Sequence, residues 1–163
     1  MPTPAIVPLE DITLQSSTGT INISNIPNTY RDIIISLTWQ HSGTGSAVRI
    51  RFNDSTASHD WAAMYGNVNN SAGGWNGDET SSRMSGVNVG PTSNWSTNTT
   101  TVYDYSNANR HTLLISRNAD PNGDTSYVGG RWESNAVVNK ITLFDCCGQV
   151  INAGARLQIW GRI

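Results

Sequence analysis

The chain has 163 residues and a formal net charge of −2; Asn, Ser, Thr and Gly supply 68 of the residues, and charged side chains only 13%, against about 25% in an ordinary domain. A near-neutral chain with one lysine, Lys140, has no basic stripe for a phosphate backbone, so nucleic acid is not an expected partner. Its longest aliphatic run, Ile33-Ile34-Ile35, is far short of the about 18 apolar residues of a spanning helix, so no membrane partner is expected either.

Disorder would need a high net charge, which is absent. Six Trp and five Tyr supply apolar area that the modest aliphatic content does not, and the length suits one domain. In chain order, Met1 to Pro8 carries Pro2, Pro4 and Pro8, which favours an extended arm. Residues 9–163 are expected to form a single domain. The arm has none of the basic and apolar regions of a secretory signal, so a cytoplasmic site of synthesis is expected. Pro2, Pro4, Ile6 and Pro8 are the candidates for contact with a neighbouring subunit.

Period-two alternation then dominates. Weak strands are expected at Ile12 to Gln15 and Thr20 to Ile23. Asp32 to Gln40 is the clearest strand, with Ile33, Ile35, Leu37 and Trp39 on one face and Asp32, Ser36, Thr38 and Gln40 on the other. Ser42-Gly43-Thr44-Gly45 reads as a turn before Ala47 to Phe52, where Val48, Ile50 and Phe52 point inward and Arg49 and Arg51 outward. Trp61 to Tyr65 is a further strand. Asn67 to Asn98 is a long stretch of Asn, Ser, Gly and Thr that reads as one long loop containing Trp75 and Trp95, and long loops in compact domains are usually functional or disordered.

Strands are expected again at Thr99 to Tyr105, Thr112 to Arg117 and Tyr127 to Trp132, followed by Lys140 to Asp145. Ala155 to Ile163 closes the chain with Leu157, Ile159 and Ile163 on one face. Eight to ten short antiparallel strands with polar connections imply an all-β antiparallel sandwich, most plausibly a jelly roll. An immunoglobulin-type sandwich lacks its paired cysteines here.

Several residues invite a chemical reading. Cys146 and Cys147 are adjacent, and neighbours on a strand face opposite ways, so neither a bridge nor a metal cage is expected. His41, His59 and His111 are dispersed and lack metal-ligand spacing. His59-Asp60 resembles a base with its orienting carboxylate, but adjacent residues seldom face each other, and no Gly-x-Ser-x-Gly elbow supplies a nucleophile. No enzymatic activity and no cofactor are therefore expected. Asp120-Pro121-Asn122-Gly123-Asp124 opens like a calcium loop, yet the sixth position is Thr125 and the twelfth Arg131, where such a loop needs Gly and a bidentate Glu. A turn with Gly in the left-handed region explains the same residues. The five Asn-x-Ser/Thr triplets, at Asn22, Asn53, Asn69, Asn94 and Asn98, are about what this composition produces by chance. Trp75 and Trp95 could stack on sugar rings, or could plug their segment onto the body of the fold.

Arg49-Ile50-Arg51-Phe52-Asn53-Asp54-Ser55, then Tyr65-Gly66, Tyr105-Ser106-Asn107-Ala108-Asn109-Arg110, Gly130-Arg131-Trp132, Ala136 to Leu143, and the ending Gly154-Ala155-Arg156-Leu157-Gln158-Ile159-Trp160-Gly161 resemble a family of small bacteriophage virion proteins. The resemblance covers roughly residues 30–163. The chain departs from it in Asp54, where glycine is common, and in Arg162 before the terminal Ile163. The resemblance implies an oligomeric sandwich, a homotrimer, at the surface of a virion. It implies either a capsid decoration (cement) protein that binds the major capsid protein or a tail-fibre or baseplate part. The low charge and single-domain organisation favour the decoration protein. The alternative is a receptor-binding module for host-surface glycan, resting on Trp75 and Trp95.

Overall fold

The computed structural model describes residues 5–43, 47–66, 69, 71–85, 94–120 and 123–163. Twelve strands are described: β1 (Ile6–Thr13), β2 (Thr20–Ser24), β3 (Asp32–Trp39), β4 (Val48–Phe52), β5 (His59–Gly66), β6 (Ala72–Glu79), β7 (Ser82–Arg83), β8 (Ser96–Tyr103), β9 (Thr112–Ala119), β10 (Thr125–Trp132), β11 (Lys140–Asp145) and β12 (Arg156–Arg162). They form two antiparallel sheets. The long sheet has the order β1-β12-β3-β8-β9-β10-β5-β6 and the short sheet β2-β11-β4-β7.

This order is a jelly roll with insertions. The first four strands pair with later ones in reverse order, β1 with β12, β2 with β11, β3 with β8 and β4 with β7. Successive pairs alternate between the sheets, so one antiparallel ribbon is rolled into a two-layer body. Two hairpins are added to that body. The β9–β10 hairpin continues the long sheet from β8, and the β5–β6 hairpin attaches beyond it through β5 and β10. The long sheet therefore extends well past the short one.

The core lies where the two sheets overlap. Ile33, Ile35, Leu37 and Trp39 are wholly buried, facing Val48, Ile50 and Phe52 of β4 and Ile141 and Leu143 of β11. A separate small cluster of Trp61, Ala63 and Val128 lies under the extension. Between the two sits a buried polar knot. Asn98 Nδ2 donates to Ser116 Oγ at 2.9 Å, Ser116 Oγ donates to the Met84 carbonyl at 2.6 Å, and Thr100 Oγ1 donates to Asn98 Oδ1 at 2.9 Å. Satisfying these groups within the protein avoids the cost of burying them unpaired. Asn98, 1% exposed, is no glycosylation acceptor.

Several expectations change. Ile6, Val7 and Pro8 are paired with Arg162, Gly161 and Trp160 of β12, so this part of the expected arm is an edge strand of the sandwich. Pro8 sits beside a register shift that leaves Leu9 unpaired, and a bulge on an edge strand is where proline's missing N–H is tolerated. Pro2 and Pro4 lie outside the described residues. The expected long loop at 67–98 contains β6, β7 and the start of β8. Asp32 keeps the outward face beside Arg162 of β12, yet is 1% exposed because Arg31 and Arg162 cover it, while Ile163, projected inward, is 56% exposed one residue beyond β12.

Cys146 and Cys147 are bonded to each other, against expectation. They sit in the turn after β11 and not on a strand, so the opposite-faces argument does not apply to them. The Asp145 carboxylate shapes that turn by accepting hydrogen bonds from the backbone N–H groups of Cys147 and Gln149. Asp54, in place of the resembling family's glycine, follows Asn53 in two consecutive left-handed positions at φ 56° and 50°. Asn and Asp tolerate that region best among side-chain-bearing residues. Asn53 Nδ2 also donates to the Val137 carbonyl at 2.8 Å.

Candidate functional site

Two surfaces arise from the extension of the long sheet. On its outer face, alternation leaves Leu113 and Ile115 of β9, Tyr127 of β10 and Met64 of β5 exposed, at 49%, 55%, 58% and 67%. The register joins them. Ile115 lies beside Gly129, which lies beside Ala62, and in the next row Arg117, Tyr127 and Met64 adjoin. The small residues in the first row form the floor of a shallow apolar trough. At its border Arg131 Nε donates to the Asp60 carboxylate at 3.0 Å, and the same guanidinium pairs with Glu133.

The second surface is a cleft where β5 and β6 meet the edge strand of the short sheet. It is an open space of ≈ 590 Å³ lined by Trp61, Gly74, Trp75, Asn76, Glu79 and Arg83. The β6 glycines explain how the aromatic rings fit. A Cβ on Gly77 would come 3.0 Å from the Trp61 indole, and one on Gly73 would come 2.7 Å from the Tyr65 hydroxyl and 2.9 Å from its ring. Both rings lie against the strand. The Trp75 ring is 4.8 Å from that of Tyr65. Arg83 places its guanidinium carbon 4.8 Å from the Trp61 ring centre and 5.5 Å from that of Trp75.

Charge in this cleft is uneven. Glu79 is engaged by Arg49, which lies opposite Arg83 across the β4–β7 pairing. Nε and Nη1 of Arg83 are buried and have no hydrogen-bond partner among the described residues. Burial pushes the Arg83 pKa down, and the Arg49 pKa is lowered by burial and then by the Arg83 charge. Among the described residues, the cleft lining thus holds one cation, Arg83, and one carboxylate, Glu79, which Arg49 engages.

The two tryptophans singled out in the sequence are not brought together. Trp75 is 40% exposed in the cleft, while Trp95 immediately precedes β8 and lies over Gly154, whose Cβ would be 3.1 Å from the indole. Four strand spacings separate β8 from β6, about 19 Å, so Trp95 plugs its segment onto the body and Trp75 alone faces the cleft. Arg83, Trp61 and Glu79 were not expected at a site. A lone Arg in a serine-rich segment carries no signal until tertiary packing sets it between two indoles.

His59 is wholly buried, with its ring stacked against Phe52 at 6.1 Å and Trp132 at 6.0 Å. Asp60 is committed to Arg131, so the two do not form a base and its orienting group. At Asp120, the carbonyl accepts a hydrogen bond from Gly123 N–H at 3.0 Å, with Gly123 at φ 90°, which is the expected turn. Pro121 and Asn122 of that segment lie outside the described residues. Asp145, Cys146 and Cys147 have potential ligand atoms within 4.8 Å of one another, but the two sulfurs are joined and offer no thiolates. No helix among the described residues is long and apolar enough to cross a membrane.

Comparison with protein-family models finds no match, and no curated protein matches. Among solved structures, the chain is weakly similar to a marine PL-14 alginate lyase from Aplysia kurodai, with TM-score 0.30 and 9% identity over 82% of this chain and 71% of that one. It is weakly similar also to a chain of infectious bursal disease virus Gx strain, with TM-score 0.22 and 13% identity over 94% of this chain and 40% of that one. A third is the VP2 subviral particle of the same virus, at 0.14 and 11% over 97% and 41%. Likenesses this weak carry no argument about function.

Proposed function

We propose that the chain is a structural protein of a phage virion, a capsid decoration protein that docks on the major capsid protein through the outer face of its extended sheet. The observation that carries this reading is the contiguous apolar trough of Met64, Ile115, Tyr127 and Leu113, outside which the exposed large hydrophobics among the described residues are Ile6, Trp75, Trp95 and Ile163. Contiguous exposed apolar patches mark interaction sites. The trough spans three strands, roughly 250 Å² from strand spacing and rise, and a specific interface covers about 800 Å² per partner. It serves as the apolar centre of a contact with a polar rim, the usual anatomy of such interfaces. The Asp60–Arg131–Glu133 group supplies part of that rim. The resemblance in sequence to small virion proteins supports the choice of partner.

Cosedimentation with purified heads tests it. Fully burying one Leu or Ile is worth about 1.5–3 kcal/mol, so Leu113→Asp combined with Ile115→Asp is expected to weaken binding at least 100-fold while leaving the melting temperature within a few degrees. Unchanged binding by that variant overturns the docking face. A count of a few to some tens of copies per virion, in place of hundreds, overturns decoration in favour of a fibre or baseplate part.

A further inference from the structure

We propose that the cleft between β6 and β7 is a binding site for a carboxylated sugar, with the sugar ring against Trp75 and its carboxylate opposite Arg83. It lies away from the apolar trough, so this site and the docking face stand or fall separately.

Three features select the ligand class. The walls are aromatic, with Trp75 40% exposed and Trp61 beside it, and the C–H faces of a pyranose pack on indole rings in a way that hydroxyl-rich edges do not. The polar groups are few: Glu79, on the same face of β6 as Trp75, is an acceptor. A space of ≈ 590 Å³ lies within the usual range for small-ligand sites.

The carboxylate is called for by Arg83. Its guanidinium lies close to two indoles, and two of its nitrogens are shielded from water and have no hydrogen-bond partner among the described residues. A buried donor left unpaired is costly, and more so when charged. Glu79 does not supply the counter-charge, because Arg49 holds it. A carboxylate matches the fork of a guanidinium and forms hydrogen bonds about twice as strong as neutral ones. Neutral sugars leave this cation uncompensated, and a purely apolar ligand does the same.

The test uses intrinsic tryptophan fluorescence and calorimetry on the full chain with two acidic probes and their neutral counterparts. These are trigalacturonate against its methyl ester, and 3′-sialyllactose against lactose. At least one acidic probe is expected to bind ten-fold or more tightly than its counterpart, and to change the fluorescence. Arg83→Gln should abolish the preference for the acid, whereas Trp75→Ala should weaken acidic and neutral probes alike. Trp75 is 40% exposed on an edge strand, so Trp75→Ala should keep its melting temperature within a few degrees while weakening binding several-fold, which keeps the test decisive if Arg83→Gln fails to fold. Absence of binding by both acidic probes at millimolar concentration overturns the proposal. So does equal binding of acid and neutral forms, or a preference that survives in Arg83→Gln. The uronate and sialate arms distinguish which kind of acidic glycan the cleft takes.

Discussion

His59 shows how one buried ring couples the fold to pH. Its pKa is pushed down to about 4, chiefly by burial, with the aromatic rings of Phe52 and Trp132 packed against it. The unfolded chain takes a proton on this residue near pH 6.5, whereas the folded chain does not until about 4. Between those values the unfolded state binds more protons, so stability falls as pH falls and levels off for this group below about 4. At about 1.4 kcal/mol per pH unit, the loss amounts to roughly 3 kcal/mol. Urea unfolding of wild type and His59→Phe across pH 4–7 checks this. The wild-type slope in that window should exceed the variant's by close to one proton, and equal slopes would refute the assignment. The native carboxylates whose pKa values are lowered, Asp11, Asp32 and Asp54, act in a different window. Their contribution is present above the ordinary Asp pKa and is lost only as pH falls below it.

Among the elements, β3 and β12 are fastened at one end by a buried charge. Asp32 Oδ2 accepts from Arg162 Nε at 2.9 Å and from Arg31 Nε at 3.0 Å, and Asp32 Oδ1 accepts from the Asp104 backbone N–H at 3.1 Å. Burial pushes the Asp32 pKa up, but these hydrogen bonds outweigh it and hold the carboxyl below its ordinary value. Removing one member of a buried pair leaves the rest uncompensated, at about 3–5 kcal/mol. Since Arg31 is 60% exposed and Arg162 32%, both can rehydrate, and Asp32→Ala is expected to cost about 2–4 kcal/mol in denaturant unfolding. A loss under 1 kcal/mol would show the clamp to be decorative. Alternation made β3, β4, β11 and β12 legible in the sequence, because one face of each is core. It missed β6, since an edge strand with Gly73, Gly74 and Gly77 carries neither β-branched residues nor an apolar face. For the same reason Trp75 was visible as an aromatic in a polar stretch, while its partners Trp61 and Arg83 were not. Their meeting depends on how far the long sheet outgrows the short one, which no local pattern encodes.

At the scale of the whole molecule, the extension of the long sheet creates two demands on surface. The resemblance to small virion proteins implies a homotrimer, which needs a subunit interface, and decoration needs a docking face. One apolar trough cannot serve both. The other resource is the outer edge of β1, which among the described strands pairs only with β12, and exposed edges are templates for association unless covered. Ile6 lies on that edge and is 50% exposed. We therefore expect the trimer to close through the β1 side and leave the trough free. Sedimentation equilibrium should give three times the 17.7 kDa chain mass. The Leu113→Asp, Ile115→Asp variant should sediment identically, while Ile6→Asp should shift the equilibrium toward monomer. If the trough variant dissociates and Ile6→Asp does not, the trough is the subunit interface and the docking face on the shell must be sought elsewhere. A wild-type chain that sediments as a clean monomer removes the trimer altogether and leaves the trough to the shell alone.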